Sequence, residues 1–105
     1  MGIKIYWTDF AKNELKNIFT YYKKEASLNV ARKLVIEITK ETLKLAEQPE
    51  IGQQEKLLLN DLKDFRYLIF KNYKIIYWIN LKKNCIEILD VFDTRQNPVN
   101  IKRTK

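Results

Sequence analysis

Residues Phe65–Pro98 read FRYLIFKNYKIIYWINLKKNCIEILDVFDTRQNP, and the fold is decided by how this stretch is parsed. Arg66–Phe70, Tyr73–Asn80 and Cys85–Phe92 are runs rich in β-branched and aromatic residues, separated by Lys71-Asn72 and by Leu81–Asn84. Short apolar runs bounded by short polar breaks predict three consecutive strands joined by tight turns. A two-residue connection needs positive φ, and Asn72 is expected to supply it because asparagine tolerates the left-handed region. On the middle run, a period of two puts Tyr73, Ile75, Tyr77 and Ile79 on one face and Lys74, Ile76, Trp78 and Asn80 on the other. Both faces carry apolar side chains, so both should be covered at least in part. One should take helices, and the other should form a concave face with an aromatic and basic lining.

The residues upstream supply those helices. Ile3–Trp7 alternates and favours a first strand. Thr8 and Asp9 follow as candidate caps. From Asp9 to about Glu25, Ala11, Leu15, Ile18 and Tyr22 recur at three- and four-residue spacing, with Phe10 and Phe19 widening the stripe toward the core. Ala26-Ser27 breaks this helix, and Ser27 is the expected N-cap of a second one. That helix should run from about Leu28 to Glu47, with Ala31, Leu34, Val35, Ile38, Thr42, Leu45 and Ala46 on its buried face, and Gln48-Pro49 should stop it. Glu50–Asp64, with Ile51-Gly52 and the run Leu57-Leu58-Leu59, is compatible with a loop, a turn of helix or an extra short strand. The expected architecture is α+β in the order β-α-α-β-β-β, a helix hairpin packed on one face of a small, mainly antiparallel sheet.

With 105 residues, the chain is expected to be a single domain covering 1–105. The formal net charge of +7 is unevenly placed: residues 1–65 carry 11 basic and 10 acidic groups, residues 66–105 carry 9 and 3. An excess of positive charge on the C-terminal sheet favours a polyanion or an acidic protein partner. The N-terminus lacks a signal-peptide pattern and no run approaches a membrane span, so a cytoplasmic location and no membrane partner are expected. The single Cys85, in an apolar strand pattern, reads as a small buried hydrophobe.

There is no histidine, one cysteine and only two glycines. This excludes histidine bases, Ser-His and Cys-His pairs, Cys/His metal sites and glycine-rich phosphate loops. Strand parity sets Glu87 and Asp93 on the face opposite Asp90, so no metal site and no cofactor is expected. What remains is cationic and aromatic: Arg66, Lys71, Lys74 and Arg95, with Tyr67, Tyr73, Tyr77 and Trp78 nearby. Such a set can hold phosphates and stack on bases. It can also cleave RNA without metal, because the substrate's own 2′-OH is the nucleophile and cations can neutralise the pentacovalent transition state. Lys71, in a turn, reads better as a solvated surface cation or an ordinary ion pair.

The order of elements and the string FRYLIFKNYKIIYWI…IEILDVFDTRQNP resemble the RelE/ParE superfamily of bacterial toxins, as does the earlier FAKNELKNIFTYY followed by a helix ending in LAEQPEIG. The resemblance covers nearly the whole chain. It implies the toxin half of a type II toxin–antitoxin module, neutralised by a cognate antitoxin. RelE-like members cut messenger RNA in the ribosomal A site, and ParE-like members inhibit DNA gyrase. Carried over position by position, Arg66 matches a basic position opening the first hairpin strand, Lys74 the cationic position after the turn, and Arg95 the basic position beyond the last strand. The resemblance therefore implies a metal-independent endoribonuclease acting on ribosome-bound mRNA. Arg66, Lys74 and Arg95 would form its catalytic set, and Lys71, Tyr73 and Tyr77 would contact RNA. A ParE-like gyrase inhibitor is the alternative, and a degenerate, non-enzymatic binding module is the third reading. The chain departs from the RelE pattern at Leu68, where a second lysine is usual, and at Ile101, where a tyrosine is usual, and it lacks the His-Tyr ending of the related YoeB-type nucleases, since it has no histidine. Glu55 or Lys56 could stand in for a missing base.

Overall fold

The computed structural model describes residues 2–54 and 64–95. The elements follow the expected order: β1 (Lys4–Trp7), α1 (Asp9–Glu25), α2 (Leu28–Leu43), β2 (Gln53–Gln54), β3 (Phe65–Phe70), β4 (Tyr73–Asn80) and β5 (Cys85–Asp93). The extra short strand β2 occupies part of the segment whose pattern was ambiguous. The sheet order is β1-β5-β4-β3-β2, with β1 parallel to β5 and every other neighbour antiparallel. The helix hairpin lies on one face of it.

Local chemistry sets the helix boundaries. Thr8 Oγ1 accepts from the Ala11 N–H at 3.2 Å and donates to the Ile88 carbonyl at 3.0 Å, so one hydroxyl both caps α1 and ties it to β5. Ser27 Oγ accepts from the Val30 N–H at 3.1 Å and caps α2. The second helix ends as an α-helix at Leu43 and tightens into a 3-10 turn over Lys44–Ala46, short of the expected Glu47. Its buried face is Ala31, Leu34, Ile38, Thr42 and then Leu45, all within the expected stripe. In α1 only Ala11 is fully buried, Leu15, Ile18 and Tyr22 pack partly against the core, and Phe10, expected inside, is exposed.

The main core joins these helices to Tyr73, Ile75, Tyr77 and Ile79 of β4 and to Ile86, Ile88 and Val91 of β5. Ile76 and Phe92 form a second cluster with Tyr67 and Leu89 on the other face of the sheet. Two sequence expectations need correction here. The residue with positive φ in the β3–β4 turn is Lys71, at 55°, not Asn72. The register of β4 against β5 also slips: Tyr77 pairs with Ile88 and Ile76 with Asp90, leaving Leu89 as the extra residue of a β-bulge. The bulge reverses parity beyond it. Asp90 therefore pairs with Ile76 on the face away from the helices, the face of Glu87. Asp93 pairs with Tyr73 on the helix side. Cys85 is buried, as its surroundings required.

Candidate functional site

Arg66 and Lys74 face opposite ways. The two-residue turn pairs Arg66 with Tyr77 and Lys74 with Ile69, so a residue of even number on β3 shares a face with one of odd number on β4. Arg66 thus lies on the helix side. Its Nε donates to Asp64 Oδ2 at 2.9 Å, and its Nη1 donates to the Gly52 carbonyl at 2.9 Å and the Glu50 carbonyl at 3.3 Å. Its side chain is 18% exposed. Beside it, the fully buried Tyr77 hydroxyl donates to the Pro49 carbonyl at 2.7 Å and accepts from the Gly52 N–H at 2.9 Å. Burial pushes the Tyr77 pKa up, opposed by the hydrogen bond from Gly52 and the Arg66 charge. These two side chains together hold the backbone from Pro49 to Gly52 against the sheet.

Lys74 lies on the other face, its ammonium 4.2 Å from the centre of the Tyr67 ring. The Tyr67 hydroxyl donates to Gln53 Oε1 at 2.9 Å. Lys71 reaches from the turn to Glu37 of α2, with Nζ 3.1 Å from Oε1.

Arg95 stands at the far end of β5. Its Nε lies 2.9 and 3.0 Å from the two oxygens of Asp93, Nη2 completes the fork, and its own N–H donates to Asp93 Oδ1. Hydrogen bonds from Arg95 hold the Asp93 carboxyl well below the usual carboxylate range. The guanidinium is 72% exposed and forms one wall of an open cleft of about 280 Å3 with Glu14, Asn17, Tyr21, Tyr22 and Tyr73. The Tyr73 hydroxyl donates to the Tyr22 hydroxyl at 3.2 Å, and burial, reinforced by that bond, raises its pKa.

The expected site residues therefore occupy separate places. Arg66 with Tyr77, and Arg95 with Tyr73, are four residues apart along β4, about 13 Å at ~3.3 Å per residue. Lys74 is on the opposite face. Tyr73 and Tyr77, expected to stack on bases, are 4% and 0% exposed. Glu55, Lys56, the leucine run and Ile101 lie outside the described residues. Sequence reasoning missed the role of Gly52. A Cβ there would stand 2.6 Å from both the Tyr67 carbonyl oxygen and the Tyr77 hydroxyl, so only glycine admits this approach. The Ile51-Gly52 punctuation was the available signal.

The comparisons agree with this architecture. Residues 5–98 match the family model described as the ParE toxin of the type II toxin–antitoxin system parDE. Among solved structures, a chromosomal ParDE toxin–antitoxin system from P. aeruginosa aligns at a TM-score of 0.74 with 18% identity, covering 89% of this chain and 97% of that one. The RelBE2 toxin–antitoxin complex of Mycobacterium tuberculosis gives 0.64 with 15% identity, covering 89% and 99%. A double-arginine mutant of the E. coli RelE toxin in its free state gives 0.57 with 16% identity, covering 98% of each chain. No curated protein matches the chain. At these identities the structural neighbours speak for the fold, and the family model speaks for the family. The chain belongs to the ParE toxin family of type II toxin–antitoxin systems.

Proposed function

We propose that this toxin arrests growth by binding a protein target, DNA gyrase, and not by cutting RNA. The observation that carries the reading is the dispersal of the three cations. A pentacovalent phosphate gathers its charge within a few ångström, so donors must converge on one point to stabilise it. Arg66 is instead turned to Asp64 and two backbone carbonyls, Lys74 lies on the other face over Tyr67, and Arg95 sits against Asp93 at the far end of β5. Each cation has a local partner suited to holding the fold or presenting a surface.

Family membership gives the toxin a cognate antitoxin, and the basic C-terminal half favours an acidic one. Gyrase and the ribosome are both cytoplasmic, so a cytoplasmic location is part of this proposal. Among the described residues no helix is long and apolar enough to cross a membrane. The ribosome-dependent nuclease is the competing reading, and programmed ribosomes test it. At doses that arrest growth, the A-site codon of bound message should remain intact. A cut that disappears in Arg95→Ala would overturn the proposal. The degenerate module is tested by expression without antitoxin, which should stop growth.

A further inference from the structure

At the pole of the sheet where β4 turns into β5, two large apolar side chains stand in solvent. Leu81 is 83% exposed and Ile51 is 47% exposed. They face one open cleft of about 520 Å3, whose remaining apolar lining is Ile3, Pro49 and the buried Ile79. Nothing in the turn requires a leucine. The other turn residues, Lys82, Lys83 and Asn84, are polar and exposed, as turns normally are.

The cleft is also preformed. On one lip, Asn80 Oδ1 accepts from the Lys83 N–H at 3.2 Å, the Asn84 N–H donates to the Leu81 carbonyl at 3.3 Å, and Asn84 holds φ at 50°. On the other lip, the Ile51 N–H donates to the Gln48 carbonyl at 3.1 Å, while Tyr77 and Arg66 pin Pro49, Glu50 and Gly52. A rigid apolar slot loses little entropy when it is filled, which makes it a good receiver for one anchoring side chain.

Charge gives the occupant a direction. Lys82 and Lys83 follow Leu81 in the same exposed turn, and Glu50 lines the cleft beside Ile51. A segment that seats an apolar side chain over Ile79, with a carboxylate beside the two lysines and a neutral or basic group toward Glu50, complements all three features. We propose that this cleft receives such an apolar–acidic segment of the antitoxin. The inference rests on the part of the proposed function that gives this toxin an antitoxin. It is independent of whether the toxin's target is gyrase.

The test uses the full-length toxin and the product of the antitoxin reading frame beside its gene, expressed and purified apart and combined in a titration. Leu81→Glu and Ile51→Glu should each weaken binding about tenfold or more, as loss of a central anchor does. Lys82→Glu combined with Lys83→Glu should weaken it several-fold and flatten its salt dependence. Leu81→Ser keeps the experiment decisive: Leu81 is a surface turn residue, so folding survives its loss and the melting temperature should stay within a few degrees. Unchanged antitoxin affinity in folded Leu81→Glu and Leu81→Ser would overturn the proposal. Retained affinity with lost toxicity would also overturn it and assign the cleft to the target. Wild-type toxin that fails to bind the antitoxin at all would overturn both this inference and the reading beneath it. A loss confined to the cleft variants supports this one.

Discussion

Replacing Tyr77 by phenylalanine removes one oxygen from a fully buried ring and keeps the packing. That oxygen donates to the Pro49 carbonyl at 2.7 Å and accepts from the Gly52 N–H at 2.9 Å. Two backbone groups thus lose their partner at once, the Gly52 N–H at a buried residue and the Pro49 carbonyl at a half-buried one. A net hydrogen bond is worth about 1 kcal/mol, and stranding a buried backbone group costs about 1–3 kcal/mol. Arg66 still holds the Glu50 and Gly52 carbonyls, which limits the collapse. The expected loss is therefore about 2–3 kcal/mol. In a domain near this length ~1 kcal/mol moves the melting temperature by roughly 4–8 °C, so the transition should fall by roughly 10–20 °C. Urea unfolding of both proteins, with equal slopes against denaturant, would read the difference directly. A change below about 0.5 kcal/mol, the size of an ordinary surface substitution, would refute the idea that this hydroxyl clamps the loop.

Further consequences follow from the same geometry. Gly52→Ala should destabilise the protein by about 1–3 kcal/mol by forcing a Cβ against the Tyr67 carbonyl and the Tyr77 ring, and calorimetry would measure it. Arg66→Lys keeps the charge and loses the fork that spans Asp64, Glu50 and Gly52, so thermal stability should drop while binding to polyanions such as heparin hardly changes. Tyr73 and Tyr77 both have raised pKa values, so the unfolded chain releases their protons first. Their contribution is fully present below about pH 10 and is lost as pH rises above it, which denaturant unfolding at stepped alkaline pH will show as a steady fall absent from the Tyr73→Phe, Tyr77→Phe double variant. Asp93 is depressed, so its contribution is present above about pH 4 and is lost on acidification. NMR titration of its carboxyl should place the midpoint below the ordinary aspartate range, and Arg95→Ala should return it there.

The helices and strands were legible because their signals are local. Thr8 and Ser27 cap where expected, and the α2 stripe from Ala31 to Leu45 is buried as its period requires. Features set by distant contacts were not legible. The bulge at Leu89 depends on how β5 meets β4, and it changes which face Asp90 and Asp93 occupy. Lys71, not Asn72, takes the left-handed φ, and its ammonium reaches Glu37 from there. The dispersal of Arg66 and Lys74 was within reach. A two-residue turn after Phe70 already pairs Arg66 with Tyr77, which puts Lys74 on the opposite face. Numbering along one strand suggests a shared surface, and antiparallel pairing removes it. Arg66 also needed the loop at Glu50–Gly52 to show its role, and no local pattern announces that contact.

The central claim is that this toxin works by engaging a protein and not by gathering cations around a phosphate. A supercoiling titration with purified gyrase, relaxed plasmid, ATP and increasing toxin tests it most directly. Supercoiling should fall with toxin dose, stay inhibited by Lys74→Ala, and recover when antitoxin is added. Undiminished supercoiling at saturating wild-type toxin would contradict the account.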